Sequence, residues 1–403
     1  MTVTEPLHAY VGRQAVFDRT MKVVGYELLY RNSEENRARF DDPDQATAAT
    51  MLNAFVELGL EKLVGGLPVY VNLPESFLLG RYPIPMPPDR TIIEVLEDVP
   101  VTPELIDAVR TLKSHGYKIA LDDFVLSDVT RPLVEHADIV KIDVLGLPRD
   151  EVEEQYDELR PDCKVLLAEK ISTHDEMAFL HHLGFDMFQG HFLELPIVTR
   201  GRRLPHNRVA LMHLLAKLYD PKVDLRAVEQ MMSAEVGLTI RMLKLASSAA
   251  MSRGAPIGTI GQAIARLGTQ QVAALVMVIM LAGFDDKPFE LARHALVRAR
   301  MCEALARTTA QPPDQLFTAG LLSLLDAILD QPLPDILKQI PLTPLITDAL
   351  LGNRGSAGKI VDAARAQDRG DFDRVAATGI SSQAIFVAWY EAVRWTEDLL
   401  SHL

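Results

Sequence analysis

Cysteine is almost absent from this 403-residue chain, which holds only Cys163 and Cys302. Two cysteines cannot build a disulfide framework or a cysteine-based metal site, and such a chain suits a reducing cytosol, so a cytoplasmic protein is expected. The N-terminus lacks the basic-then-apolar pattern of a signal peptide. No apolar run reaches the roughly 20 residues that span a bilayer. The most apolar stretch, Val272 to Phe284, reads as a buried helix, and no membrane partner is expected. Positive charge is in deficit. A formal net charge of −14 excludes bulk nucleic acid as the expected partner, because duplex binding rests on basic surface. It leaves room for a small nucleotide in one metal-loaded pocket. There is no Gly-rich phosphate loop, no low-complexity segment and no clear internal repeat. A hydrophobic content of 48% fits a globular protein, and the length predicts two or three domains.

What is present is organised around Tyr117 to Asp143. Tyr-Lys-Ile-Ala-Leu-Asp-Asp-Phe starts the stretch and Ile139-Val140-Lys141-Ile142-Asp143 ends it. Aliphatic runs that end in charge are the pattern of buried parallel strands with chemistry at their C-terminal tips. Adjacent acids with a nearby lysine suit a divalent metal and an anionic phosphate ester.

The pattern extends in both directions. His8–Asp18 and Lys22–Arg31 read as a hairpin, with Glu27 and Arg31 near the tip of its second strand. A helix is predicted from about Asp44 to Leu63. Pro68–Leu73 reads as a strand ending in Asn72, and Thr91–Leu96 as a strand bearing Glu94, with Glu97 just beyond. A helix over Pro103–His115 leads into the Tyr117 strand. Lys164–Ala168 is a further strand, ending in Glu169. Thr173 to Leu183 is helical, with Thr173 and Glu176 placed as a capping box. Phe188-Gln189-Gly190 opens the last extended piece. Strands alternating with helices and repeatedly ending in polar residues predict an α/β barrel. An open doubly wound sheet is the alternative. Residues 199–207 read as a linker, and from Arg208 onward the spacing of Leu, Ala and Met is helical. The expected division is a barrel over 1–198, a linker over 199–207 and an all-α domain over 208–403.

The strand-end set resembles the EAL family of bacterial cyclic di-GMP phosphodiesterases. The matching pieces are Glu-x-Leu-x-Arg at Glu27–Arg31, Val71-Asn72-Leu73, Glu94-x-x-Glu97, Leu121-Asp122-Asp123-Phe124, Lys141-Ile142-Asp143, Ala168-Glu169 and Gln189-Gly190. They occur in the family's order over roughly residues 8–198. The resemblance implies a modified TIM-like barrel whose first strand is antiparallel. It implies that Glu27, Asn72, Glu94, Asp122, Asp123 and Glu169 hold one or two Mg²⁺ or Mn²⁺ ions, hard cations on hard oxygen ligands. It makes Lys141, with Glu169, the catalytic group of an active member, and Arg31 and Gln189 the substrate contacts.

The chain also departs from the family. Phe124 is followed by Val125-Leu126-Ser127-Asp128, where active members have Gly-Thr-Gly. The family's Glu-Gly-Val-Glu is Glu169-Lys170-Ile171-Ser172, so a lysine stands beside a metal ligand and a carboxylate is lost at Ser172. Among the remaining residues of note, Asp143 and Glu97 read as surface acids, His181 and His182 as solvent-facing, His115 as a helix cap and His294 as a polar residue on a helix.

The second half resembles the HDOD family through Met242–Ala249, Ile257–Leu267 with Gly268, and Gly320-Leu321-Leu322-Ser323-Leu324. Related metal-dependent phosphohydrolases carry His-Asp after such a Gly-Leu-Leu. Here Ser323 and Leu324 take those positions, so no metal is expected in this domain. The resemblance implies a non-catalytic module that binds a protein partner. Two readings stay open. One is a signalling protein whose weak or inactive barrel senses cyclic di-GMP or a partner. The other is a working metal-dependent phosphodiesterase giving the linear dinucleotide. A homodimer fits either, and a barrel kept only as a folding and dimerisation platform is the plainest variant.

Overall fold

The structure, a computed structural model, describes residues 9–32, 63–84, 86–97, 99–124, 126–195, 206–219, 257–281, 287–352 and 355–401, with isolated positions between 232 and 246. The chain divides into two compact units, Met1–Phe192 and Leu193–Leu403.

The first unit is a closed eight-stranded barrel in the order β1 to β8. Its strands are β1 (Ala9–Asp18), β2 (Val23–Asn32), β3 (Val69–Asn72), β4 (Thr91–Val95), β5 (Lys118–Leu121), β6 (Ile139–Asp143), β7 (Leu166–Ile171) and β8 (Met187–Gly190). β1 runs antiparallel to both its neighbours, β2 and β8, and the other pairings are parallel. Closure of the barrel rules out the open doubly wound sheet. Among the described residues its α-helices are α1 (Glu75–Leu78), α2 (Pro103–Ser114), α3 (Arg131–Val134), α4 (Arg149–Leu159) and α5 (His174–Leu183). The predicted capping box is present on α5: the Thr173 side chain accepts from the Glu176 N–H, and Glu176 reaches back to the Thr173 N–H. His115 is the C-cap of α2, as its position before Gly116 predicts. Of the helix predicted over Asp44–Leu63, all but Leu63 lies outside the described residues.

Side chains alternate across a strand with period two. One set of inward positions, Val16, Tyr70, Ile92, Ala120, Ile139 and Leu167, forms an apolar layer that fills the barrel. Two residues further along β3 to β7, on the same face, stand Asn72, Glu94, Asp122, Lys141 and Glu169. The apolar layer is thus the floor under the polar one, as in barrels whose chemistry sits at the C-terminal face of the parallel strands.

The second unit is helical in its described residues: α6 (His206–Leu218), α7 (Ile260–Leu281), α8 (Glu290–Thr308), α9 (Pro313–Leu322), α10 (Leu325–Leu329), α11 (Leu333–Leu337), α12 (Pro344–Leu350), α13 (Ser356–Asp368), α14 (Phe372–Ala377) and α15 (Ser382–Leu400). α8 is the core helix and lies against α9, α13 and α15. Its approach to α9 depends on Gly320, where an added Cβ would sit 2.7 Å from Ala299 Cα. The apolar run from Val272 is buried in α7 up to Leu281, and 282–286 lie outside the described residues. α7 is broken at Gly268, whose φ is 82° and ψ 161°. Among the described residues no single helix is long and apolar enough to cross a membrane, although the two bent halves of α7 pass that test together.

Candidate functional site in the barrel

Lys141 is the centre of the barrel's polar layer. It is 1% exposed, and its Nζ lies 2.8 Å from Glu94 Oε1, 3.1 Å from Glu169 Oε2 and 3.5 Å from Glu27 Oε2. It also pairs with Asp122. Gln189 joins from β8, its Nε2 donating to Glu27 Oε2 at 2.6 Å and to Gln14 Oε1 at 3.0 Å. Asn72 sits beside Glu94 in the β3–β4 register.

Four carboxylates around one ammonium leave negative charge in excess in a buried place. The acids respond accordingly. Burial pushes Glu94 well above the ordinary carboxylate range, and the Glu27 charge adds to that. Burial also raises Asp122 and pushes Glu169 up to about 8. Burial disfavours the Lys141 ammonium, but the four acids overcome it and hold the group firmly charged. Several oxygens are left over. Asn72 Oδ1, Glu94 Oε2, Glu169 Oε1 and Gln189 Oε1 are buried without a hydrogen-bond partner. Hard oxygen donors, orphaned, in a pocket of surplus negative charge fit a divalent cation of the Mg²⁺, Mn²⁺ or Ca²⁺ class.

The expected ligands do not all gather there. Asp123 turns away from Lys141 and pairs with Lys170, whose Nζ lies 3.1 Å from Asp123 Oδ2 and 2.6 Å from Asp143 Oδ2. A register shift between Ala168 and Ile171 in the β7–β8 pairing marks a bulge, which redirects side chains locally. Lys170 occupies it with φ 58°. Glycine tolerates that conformation far better than lysine does. Asp143, read from sequence as a solvated acid, is therefore engaged with Lys170. Arg31 lies in β2, but its side chain is outside the described residues. Glu97 is exposed at the end of the β4 segment, as expected.

Three further readings from the sequence need correction. Glu27 is not near the end of its strand: β2 continues five residues past it, paired with β1. The side chain is at the rim because β2 meets β3 only over Tyr26–Leu28. His181 is only partly open to solvent. It stacks on Phe188 at 5.8 Å and contacts the Arg19 carbonyl at 3.1 Å, while His182 is exposed. His294 is on a helix but is no isolated polar group. Its Nδ1 lies 2.7 Å from Asp368 Oδ2. Of the missing glycine segment, Val125 is outside the described residues. Beyond it, Ser127 and Thr130 close a turn on each other, with Ser127 N–H donating to Thr130 Oγ1 at 2.9 Å.

Comparison with known proteins places the chain. The HDOD domain family matches residues 204–340. The uncharacterized protein YuxH of Bacillus subtilis (strain 168) is 31% identical over 406 residues, covering 98% of this chain and 99% of that protein. The chain belongs to the EAL–HDOD family. A second relative, the cyclic di-GMP phosphodiesterase CdgJ of Vibrio cholerae, is 29% identical over 400 residues, covering 97% of this chain and 93% of that protein. Among solved structures, the EAL-domain protein YkuI of Bacillus subtilis, in complex with cyclic di-GMP and calcium, is 21% identical with a TM-score of 0.36. That match covers 45% of this chain and about half of YkuI, 54%.

The helical unit of this EAL–HDOD protein has its own buried polar group, which the sequence reading did not find. Arg298 on α8 is 1% exposed. It bonds Glu194 at 2.8 Å and Asp368 at 2.7 Å, and Arg369 holds the other Glu194 oxygen at 2.6 Å. Burial alone would raise both acids, but Arg298 and Arg369 lower Glu194, and His294 with Arg298 lowers Asp368. The donor atoms of Glu194, His294 and Asp368 lie within 4.8 Å of one another, a spacing that a metal could use. Arg298 already supplies the cation to both carboxylates, so the group is an ion-pair network. Only Arg298, directly after the apolar run Ala295-Leu296-Val297 of α8, hinted at it in the sequence.

Proposed function

We propose that the barrel is a cyclic di-GMP-binding module with weak or silent hydrolysis, and that the helical domain is a non-catalytic regulatory or interaction module. The observation that supports binding is the ring of Glu27, Glu94, Asp122 and Glu169 around Lys141, with orphaned oxygens beside it. Glu27, Asn72, Glu94, Asp122 and Glu169 would hold a Mg²⁺ or Mn²⁺ ion. When bound, such an ion supplies charge neutralisation for a phosphodiester and a lowered pKa for a coordinated water. Lys141, held charged by its neighbours, offers an ammonium to a developing negative charge. Gln189 donates to the Glu27 carboxylate and, with Arg31, would contact the dinucleotide.

The weak-activity reading rests on Lys170. Its ammonium engages Asp123 and Asp143, so Asp123 is already paired and a second metal ion has lost one of its ligands. A single displaced group of this kind can cost roughly a hundredfold in rate. The similarity to CdgJ, named a cyclic di-GMP phosphodiesterase, favours the second reading, an active enzyme. One experiment separates them. The full chain is incubated with cyclic di-GMP and Mn²⁺, and the linear dinucleotide is followed beside a Glu27→Ala control. Saturable binding by titration with little or no linear product is the expected result. Sustained turnover that vanishes in the control would make the protein a working phosphodiesterase. No binding at all would leave the barrel a scaffold.

A further inference from the structure

The helical unit contains a polar cavity of about 510 Å³ that the ion-pair network only partly explains. The volume lies in the range of small-molecule sites. Its walls come from α13, the α9–α10 junction and the segment at Glu194. The junction carries Ser323 and Leu324, which the sequence marked as standing where a His-Asp pair would be. Arg365, like much of the α13 wall, lies beyond residues 204–340, the part matched by the HDOD family.

The charged groups around the cavity, Glu194, Asp326, Asp362 and Asp371 against Arg298, Arg365, Arg369 and Arg374, are not evenly paired. Each acid on the wall has an assigned task. Glu194 is held by Arg298 and Arg369. Asp362 pairs with Arg374 at 2.7 Å. Asp371 accepts from the Arg374 N–H at 2.9 Å and caps α14. Asp326 accepts from the Ala327 N–H at 2.9 Å. Arg365 is the exception. Among the described residues no carboxylate lies within ion-pair distance of its guanidinium, and its one polar contact is a long 3.5 Å bond to the Ser323 carbonyl. Burial and the neighbouring Arg298 charge both disfavour its charged form, and the Asp326 charge offsets them only in part. Beside it the Ser323 hydroxyl is buried, 4% exposed, and has no hydrogen-bond partner. A half-buried cation without an ion-pair partner and a buried, orphaned hydroxyl at one cavity wall are both groups whose cost an anionic ligand would remove.

We propose that this cavity binds a phosphate monoester with a nucleoside-sized body. The phosphate takes the fork of Arg365 and the Ser323 hydroxyl, because guanidinium groups recognise phosphate oxygens in pairs. Leu324, Leu333 and Leu350 form the apolar wall for the organic body. The cavity volume exceeds what phosphate alone would fill. This site is independent of the barrel reading.

The test uses the full chain and three probes, guanosine 5′-monophosphate, inorganic phosphate and guanosine, each followed by calorimetric titration and by thermal unfolding at millimolar concentration. The monophosphate is expected to bind and to raise the melting temperature, phosphate to compete with it, and guanosine to do neither. Arg365→Gln is expected to weaken the monophosphate by about ten- to hundredfold, the usual loss for a charge-assisted bond. It should fold, since it removes a half-buried charge that holds no ion pair. Ser323→Ala, a smaller change, is expected to weaken binding by about two- to tenfold and carries the test if Arg365→Gln does not fold. A wild-type chain that ignores the monophosphate overturns the proposal. So does equal affinity for guanosine, or binding that survives intact in both variants, which would place the phosphate in the barrel instead.

Discussion

Lys170 Nζ lies 3.1 Å from Asp123 Oδ2, and both residues adopt left-handed backbone conformations, with φ of 58° and 45°. Two non-glycine residues in that region each cost on the order of 1 kcal/mol. The contact between them places a fixed positive charge at the rim. Lys170 is 44% exposed on its side chain, so the ion pair itself is worth little in solvent. Its consequence lies in what it denies to a second cation.

Replacing this lysine by the glycine that active family members carry should therefore change metal stoichiometry more than stability. Lys170→Gly is expected to raise Mn²⁺ binding from one to two ions per chain in a calorimetric titration. Stability should shift by no more than about 1 kcal/mol, because relief of backbone strain offsets the lost ion pair. Unchanged stoichiometry would show that Lys170 does not stand in for a metal. Any hydrolysis of cyclic di-GMP should rise in the same variant.

Lys141→Met tests the centre of the barrel site. Removing the ammonium leaves Glu27, Glu94, Asp122 and Glu169 facing one another in a buried place. Losing one partner of a buried ion pair costs about 3–5 kcal/mol. Urea unfolding should show that loss without metal, and a larger recovery on adding Mg²⁺ than the wild type shows. A variant as stable as wild type without metal would mean that the acids are already protonated.

The Asp368–His294 pair predicts how the helical unit responds to pH. Asp368 is held below its ordinary 3.8 in the fold by His294 and Arg298, against burial. Its contribution is present above that value and is lost as pH falls through the lower folded value. His294 is raised above its ordinary 6.5 because the acids beside it, Asp368 first, outweigh burial. Its contribution is full below 6.5 and is lost as pH rises through the higher folded value. Unfolding of the helical unit should thus be hardest between about pH 4 and 6.5, the interval set by these ordinary values. It should become easier on the alkaline side, and His294→Gln should flatten that side. An alkaline side of the same slope in the variant would remove His294 from the account.

Gly320→Ala probes the closest helix contact described. The added methyl would sit 2.7 Å from Ala299 Cα and closer still to the Arg298 backbone carbonyl. Overpacking of this kind costs about 1–3 kcal/mol, and because it presses on the backbone of Arg298 it should also loosen the ion-pair network. Chemical denaturation gives the first quantity. The pH dependence of stability, flatter than in wild type, gives the second.

Much of this was written in local sequence pattern. The barrel strands could be read because each is a short aliphatic run, and the polar layer because each run ends, at the same side of the pleat, in a chemical residue such as Glu94 or Lys141. The α5 capping box could be read because Thr173 and Glu176 act within one turn. The EAL and HDOD resemblances came from the same local strings. What tertiary structure decided is who meets whom. Asp122 and Asp123 are neighbours in sequence, yet one faces Lys141 inside the barrel and the other faces Lys170 at the bulge, because a left-handed turn separates their directions. Glu194 and Arg298, His294 and Asp368, and Arg365 without an ion pair depend on packing between segments far apart in the chain. Period and composition report which face of an element is buried. They do not report which buried charge finds a partner, since that depends on the mutual placement of several elements and on the cost of leaving one charge unpaired.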